Sequence, residues 1–182
     1  MRKLIVNEML TLDGVMEAPE KWSGPYQNDE IAQDNTAGMG ASDAMLLGRV
    51  TYEGFAAFWP HQTDDKTGIT DYLNKIPKFV VSSSLKKADW VNTTILSGDT
   101  VEEITKLKEQ PGKNITVTGS ATLVQSLMQA GLIDEYSLLV FPIVLGKGKR
   151  LFQDGIDSSL KLIKSKAFSS GVVSLTYQSA KK

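Results

Sequence analysis

Apolar and polar positions along the chain fall into short runs that alternate between two periods. Leu4 to Leu10 reads as a first strand, apolar except at Asn7 and Glu8. Ala44 to Leu47, Lys78 to Ser82, Thr93 to Leu96 and Ile115 to Thr118 have the length of further strands, most of them apolar and β-branched. Between them the period becomes helical. A helix is predicted from Asn28 or Asp29 to about Gly40, on a thin apolar stripe, and a second over Thr51 to Phe58 with Tyr52, Phe55 and Phe58 on one face. A helical turn covers Ile69 to Asn74. Val101, Ile104 and Leu107 mark the next helix, which ends before Pro111-Gly112. Leu123, Val124, Leu127 and Met128 mark another, with Gly131 at its C-terminal cap. Tyr136 to Leu145 is one long apolar run. Leu160 to Phe168 and Val172 to Tyr177 read as a hairpin turning at Ser169-Ser170-Gly171.

Strands alternating with helices predict a single α/β domain over residues 1–182. Its architecture is three-layered, a mostly parallel mixed sheet with helices on both faces and a C-terminal antiparallel hairpin. A length of 182 residues supports a sizeable core. Lys161, Lys164 and Lys166 are expected on the outward face of an edge strand, where they discourage edge pairing. Two polar stretches interrupt the pattern. Thr11 to Gln27 is a loop of about 17 residues, long enough to suggest a binding loop or lid, and His61 to Gly68 is a second, shorter one.

Composition narrows the function. With 23% charged residues, a net charge of −1 and scattered basic residues, nothing points to nucleic acid. No apolar run reaches membrane-spanning length, and Met1-Arg2-Lys3 leads into a strand rather than a signal peptide. The absence of cysteine excludes disulfides and thiol catalysis and fits a cytoplasmic protein. The lone His61 suits a solvated loop better than catalysis, and no metal site is expected.

Candidate chemistry gathers at three strand ends: Gly48-Arg49 with Thr51, Ser82-Ser83-Ser84, and Gly119-Ser120-Ala121-Thr122. A strand that feeds a small-residue turn opening a helix presents unpaired N–H groups and a positive dipole end to an anion. Gly119 admits a ligand close to the main chain, hydroxyls donate to phosphate oxygens, and a guanidinium grips a phosphate monoester. Each feature alone is also a surface arginine, a serine turn or a helix cap. Together they suit a ligand with two phosphate sites, such as NADPH, bound at the carboxyl ends of strands.

These residues carry a resemblance. Leu12-Asp13-Gly14, Met45 to Glu53, Val80 to Ser83, Val117 to Ala121 with Leu123, Gly131 to Glu135 and Pro142 to Gly148 together resemble the dihydrofolate reductase-like superfamily. The closer match is the branch shared with the C-terminal reductase domain of bifunctional bacterial riboflavin-biosynthesis proteins. Phe58-Trp59-Pro60 is similar to its small stand-alone members. The resemblance implies NADPH as cofactor. Gly48, Arg49 and Thr51 would hold the adenosine-side phosphates, with Arg49 and Ser82, Ser83 and Ser84 near the 2′-phosphate. Gly119, Ser120, Ala121, Thr122 and Leu123 would line the diphosphate and nicotinamide. Asp13, Gly14 and Val15 would belong to a mobile loop closing over the nicotinamide.

Two departures stand out. The family pairs glycines where this chain has Gly119-Ser120, and the carboxylate that serves true dihydrofolate reductases falls on Gln27, which points away from folate reduction proper. Asp29 is the first candidate proton donor and Glu30 the second, though both also suit a helix N-terminus. Trp22, Phe58 and Trp59 either wall a substrate pocket, with Gln27 and Pro142 on the substrate side, or simply pack. Lys147, Lys149 and Arg150 either receive a substrate phosphate or line a solvated loop, and Glu53 pairs locally or is solvated.

The expected function is an NADPH-dependent oxidoreductase acting on a pyrimidine- or pteridine-like heterocycle or a ribosylamino-pyrimidine. It would be similar to the 5-amino-6-(5-phosphoribosylamino)uracil reductase of riboflavin biosynthesis. The alternative is a nucleotide-binding module of the same fold without turnover, and a purely structural role is the third reading. The expected form is a cytoplasmic homodimer.

Overall fold

The computed structural model describes residues 1–63, 65 and 67–180, apart from the side chain of Ala37. Positions 64 and 66 of the polar loop over 61–68 lie outside the described residues. In chain order the elements are β1 (Leu4–Thr11), α1 (Asp29–Met39), β2 (Ser42–Gly48), α2 (Arg49–Phe58), α3 (Ile69–Lys75), β3 (Lys78–Val81), β4 (Thr93–Leu96), α4 (Thr100–Glu109), β5 (Asn114–Val117), α5 (Ala121–Gln129), β6 (Glu135–Phe141), β7 (Leu160–Ala167) and β8 (Val173–Ser179). Eight strands form one sheet in the order β4-β3-β2-β5-β1-β6-β8-β7. β4 through β6 are parallel neighbours, and β8 and β7 add the antiparallel end. The expected three-layer α/β architecture and terminal hairpin are what the chain forms.

Alternation along β1 sorts the two faces. Leu4, Val6 and Leu10 join Leu46, Val117, Ile104, Val124 and Leu127 in the largest core cluster, so α4 and α5 cover that side. On the other side Met45, Leu47 and Val80 pack with Tyr52, Leu73 and Trp90 under α2 and α3. Leu139 and Phe141 pack with Trp22, Ile31, Phe168 and Val172 under α1. Half-buried ion pairs brace the end of the sheet opposite the three strand ends. Arg2 meets Asp43, and Lys108 reaches Asp134 at 2.6 Å.

Lys78 is fully buried on β3, with no carboxylate partner among the described residues. Its Nζ donates to the carbonyls of Leu73 and Ile76 and sits 4.3 Å over the Trp90 ring. Burial pushes its pKa down from 10.5 to about 8.

One expectation needs correction. The apolar run Tyr136 to Leu145 is strand only to Phe141. Pro142 has no N–H for a ladder, and the amides of Leu145 and Gly146 turn instead to the Asp13 carboxylate. Lys161, Lys164 and Lys166 are all exposed on edge strand β7 as expected, and a register shift between Leu162 and Lys164 sets all three on one face, where Lys166 pairs with Asp34 of α1 at 2.8 Å.

Candidate active site

The chain runs from β1 outward through β2, β3 and β4, then returns to place β5 between β2 and β1 and β6 on the far side. The strand order therefore reverses at β5 and β1. Open α/β sheets bind ligands where carboxyl ends meet such a reversal.

Register brings the three expected strand ends together. Gly48 lies opposite Val81, so Arg49 and Ser82 leave adjacent parallel strands. Leu46 lies opposite Val117, and the Gly48 N–H donates to the Gly119 carbonyl at 3.2 Å. Contact between β2 and β5 is so close that only glycine fits at both tips. A Cβ on Gly48 would stand 2.5 Å from Ser120 Oγ, and one on Gly119 (φ 55°) would collide with the Thr51 hydroxyl. The Gly119–Ser120 peptide is cis. Ser120 caps α5, its Oγ accepting the Leu123 N–H at 3.4 Å. Ala121 and Leu123 are buried behind this turn, and Thr122 is exposed.

Around this cradle the other expected residues divide. Arg49 is exposed, with its guanidinium on Glu53 at 2.9 Å. Ser82 is buried and its Oγ accepts the Ser84 and Leu85 amides, so it shapes the turn and leaves Ser83 and Ser84 at the surface. Asp13 accepts hydrogen bonds from Thr11, Leu145 and Gly146, which hold its carboxyl down at about 2. Val15 is buried, bridges to Arg150 and packs on Gly148. The 13–15 turn is thus fastened to the segment after β6, and Gly14 (φ 82°) makes the bend. Arg150 leans on this turn, donating to the Asp13 carbonyl at 3.0 Å.

On the α1 side, an uncovered strip runs down the middle of the sheet. Asn7 is exposed although β1 is a central strand, and Met9, Thr116, Thr118 and Ser137 beside it are half-buried. Helix α1 covers the β6 end and α2 with α3 the β2–β3 end, which leaves a groove between them. Gln27 borders that groove, its Nε2 3.9 Å from Met9 Sδ. Asp29 opens α1 and is exposed. Glu30 is held elsewhere, accepting the Ser169 N–H at 2.9 Å and its hydroxyl at 2.8 Å, which lowers its pKa. Trp22 is a core residue, edge-on to Phe141, its indole N–H donating to the Glu17 carbonyl. Phe58 and Trp59 meet edge to face at the far end of α2, roughly 14 Å of helix from its first residue. Pro142 is exposed beside the hairpin turn at Gly171.

Glu8 is the residue that reading for motifs passes over. It lies on β1 between Val6 and Leu10, is only 8% exposed, and accepts the Gly119 N–H at 2.5 Å. Burial pushes its carboxyl up to about 8, with the Gly119 hydrogen bond acting in the opposite sense. The strand's own alternation gave the signal, since position 8 shares the buried phase of Leu4, Val6 and Leu10.

Comparison with known proteins fits this geometry. The family model of the RibD C-terminal domain matches residues 2–174. The chain belongs to the RibD C-terminal domain family. Among its relatives, the uncharacterised protein YyaP of Bacillus subtilis is 32% identical, over 97% of this chain and 94% of YyaP. In structure, the putative riboflavin biosynthesis protein from Shewanella sp. PV-4 is similar with a TM-score of 0.80 at 24% identity, covering 98% of this chain and 99% of that one. Dihydrofolate reductase from Enterococcus faecalis, solved with NADP(H), is similar with a TM-score of 0.66 at 15% identity, covering 98% and 97%. As a RibD C-terminal domain the chain has the reductase-type fold, and no helix among the described residues is long and apolar enough to cross a membrane.

Proposed function

We propose that this RibD-type domain is an NADPH-dependent reductase of a pyrimidine- or pteridine-like heterocycle, of the ribosylamino-pyrimidine kind. The observation that carries the reading is the cradle of Gly48, Thr51, Gly119 and Ser120, a close approach of two strand tips ending at a helix N-terminus. The two glycines let the β2 and β5 tips close up on Ser120 and Thr51, and the turn so formed presents the first N–H groups of α5 to a diphosphate. Gly48, Thr51 and the 119–123 turn would hold the diphosphate half, and Arg49 with Ser83 and Ser84 the 2′-phosphate. Bound there, NADPH would supply the hydride.

The chain's own residues then have to orient the heterocycle and deliver a proton. The strip of Asn7, Met9 and Gln27 would seat it, and Asp29 would be the proton donor in preference to Glu30, whose carboxylate Ser169 holds ionised. A homodimer is the expected form, and the exposed Leu162 and Ile163 of edge strand β7 offer it apolar surface. Light scattering on the purified protein reads the mass of one chain or two.

The test is titration with NADPH and NADH, followed through the quenching of the three tryptophans. NADPH should bind more tightly, and heterocyclic substrates should then oxidise it. In Asp29→Asn turnover should fall while NADPH affinity stays the same; an unaltered pH–rate profile would remove Asp29 from the role. Absence of any NADPH binding would overturn the cofactor reading. Gln27, which borders the groove and cannot ionise, favours a second reading in which the domain binds the nucleotide without turnover. Binding with no NADPH consumed across a panel of heterocycles would select it.

A further inference from the structure

Beneath the cradle lies a carboxyl group that the proposed reaction does not use. Glu8 Oε1 accepts the N–H of Gly119, the residue whose carbonyl takes the Gly48 amide and on which a Cβ would collide with the Thr51 side chain. One side chain from the central strand therefore fixes, from below, the turn on which the glycines of β2 and β5 converge. We infer that Glu8 is a positioning residue for this cradle, bracing the Gly119 amide as an uncharged acceptor so that the floor of an anion site carries no negative charge. The inference rests on the cofactor reading above.

The surroundings of Glu8 support an uncharged state. In register it faces Leu138 of β6. The cluster on its side of the sheet contributes Val6, Leu10, Val117, Ala121, Leu123 and Val124, which do not titrate, and Tyr136 of β6, whose hydroxyl burial pushes up to about 12 and so keeps neutral over this range. The charged groups at the same strand ends are engaged elsewhere: Asp13 with the 145 and 146 amides and Arg150, Arg49 with Glu53. Burial is therefore opposed only by the Gly119 hydrogen bond, and the carboxyl stays protonated to about pH 8. Ionising it would place a full charge one residue from the α5 N-terminus, where a phosphate is expected to sit. The ligand and the ionised carboxylate then exclude each other, and by linkage affinity must fall as Glu8 titrates.

The experiment compares wild type, Glu8→Gln and Glu8→Leu for NADPH and NADH dissociation constants between pH 7 and 9. Wild-type affinity for both cofactors should weaken by up to about tenfold over that range, since one proton is linked to binding. Glu8→Gln keeps the acceptor and removes the charge, so its affinity should match wild type at pH 7 and stay flat. Glu8→Leu loses the acceptor and should bind several-fold more weakly at every pH. A Glu8→Gln curve that tracks wild type through pH 9 overturns the inference while leaving the cofactor reading intact. Wild type that binds neither cofactor at any pH overturns both. Should Glu8→Leu fail to fold, the Gly119 amide in ligand-free protein gives a second readout by NMR. Its shift should titrate near pH 8 in wild type and not in Glu8→Gln, and identical titration in both again overturns the assignment.

Discussion

Arg49 holds its guanidinium on Glu53, four residues along the same helix face, with both side chains nearly half exposed. A surface pair of this kind contributes little and yields readily to a better partner. A 2′-phosphate would be one, so Arg49→Ala should weaken NADPH by roughly 1.5–3 kcal/mol and leave NADH nearly unchanged. Equal losses for the two cofactors in the quenching titration would take the 2′-phosphate away from Arg49. At this scale the sequence was informative about backbone-driven positions and poor on side-chain commitments. Gly48, Gly119 and Ser120 were legible because a tight strand-to-helix turn restricts residue type. That Glu30 is bound by Ser169, 139 residues away, could not be read, since nothing local encodes a partner across the fold.

Strand tips β2 and β5 behave as one unit, because Gly48 meets Ser120 where the chain enters α5. Adding a methyl group at Gly48 must push Ser120 Oγ away, and overpacking of this kind costs about 1–3 kcal/mol. Gly48→Ala is therefore expected to lower the melting temperature and NADPH affinity together. Adding Ser120→Gly should restore part of both, because it removes the two nearest colliding atoms and leaves the backbone nitrogen at 3.1 Å. No recovery in the double variant would mean that the tips are not coupled. Element positions were largely legible from the periods of 2 and 3.6, down to the cap at Gly131 (φ 65°). The long apolar run after Tyr136 was not, because its end is set by Asp13 on a distant loop rather than by its own hydrophobicity.

Two buried ionisable groups give the whole molecule an unusual response to pH. The Glu8 pKa is raised from 4.5 to about 8 on folding, so the native state holds more protons than the unfolded chain between those values, and stability falls as pH rises through them. That of Lys78 is lowered from 10.5 to about 8, so the native state holds fewer protons above pH 8 and stability rises from there towards 10.5. Together they predict a minimum near pH 8 in this pair's contribution to stability. Thermal melts at pH 5, 8 and 10 check it: Glu8→Gln should flatten the acid-side fall, and Lys78→Met the alkaline-side rise. Neither group belongs to a motif. Both are legible only as charges in the buried phase of a strand.

The seat of Lys78 against Trp90 also has a spectroscopic consequence. An ammonium 4.3 Å from the indole centroid is a fixed local field on that chromophore, and it vanishes when the amine gives up its proton. Trp90 emission should therefore change wavelength across the alkaline range with no ligand present, and Lys78→Met should abolish the change. The protein carries its own optical gauge of an amine sealed from solvent.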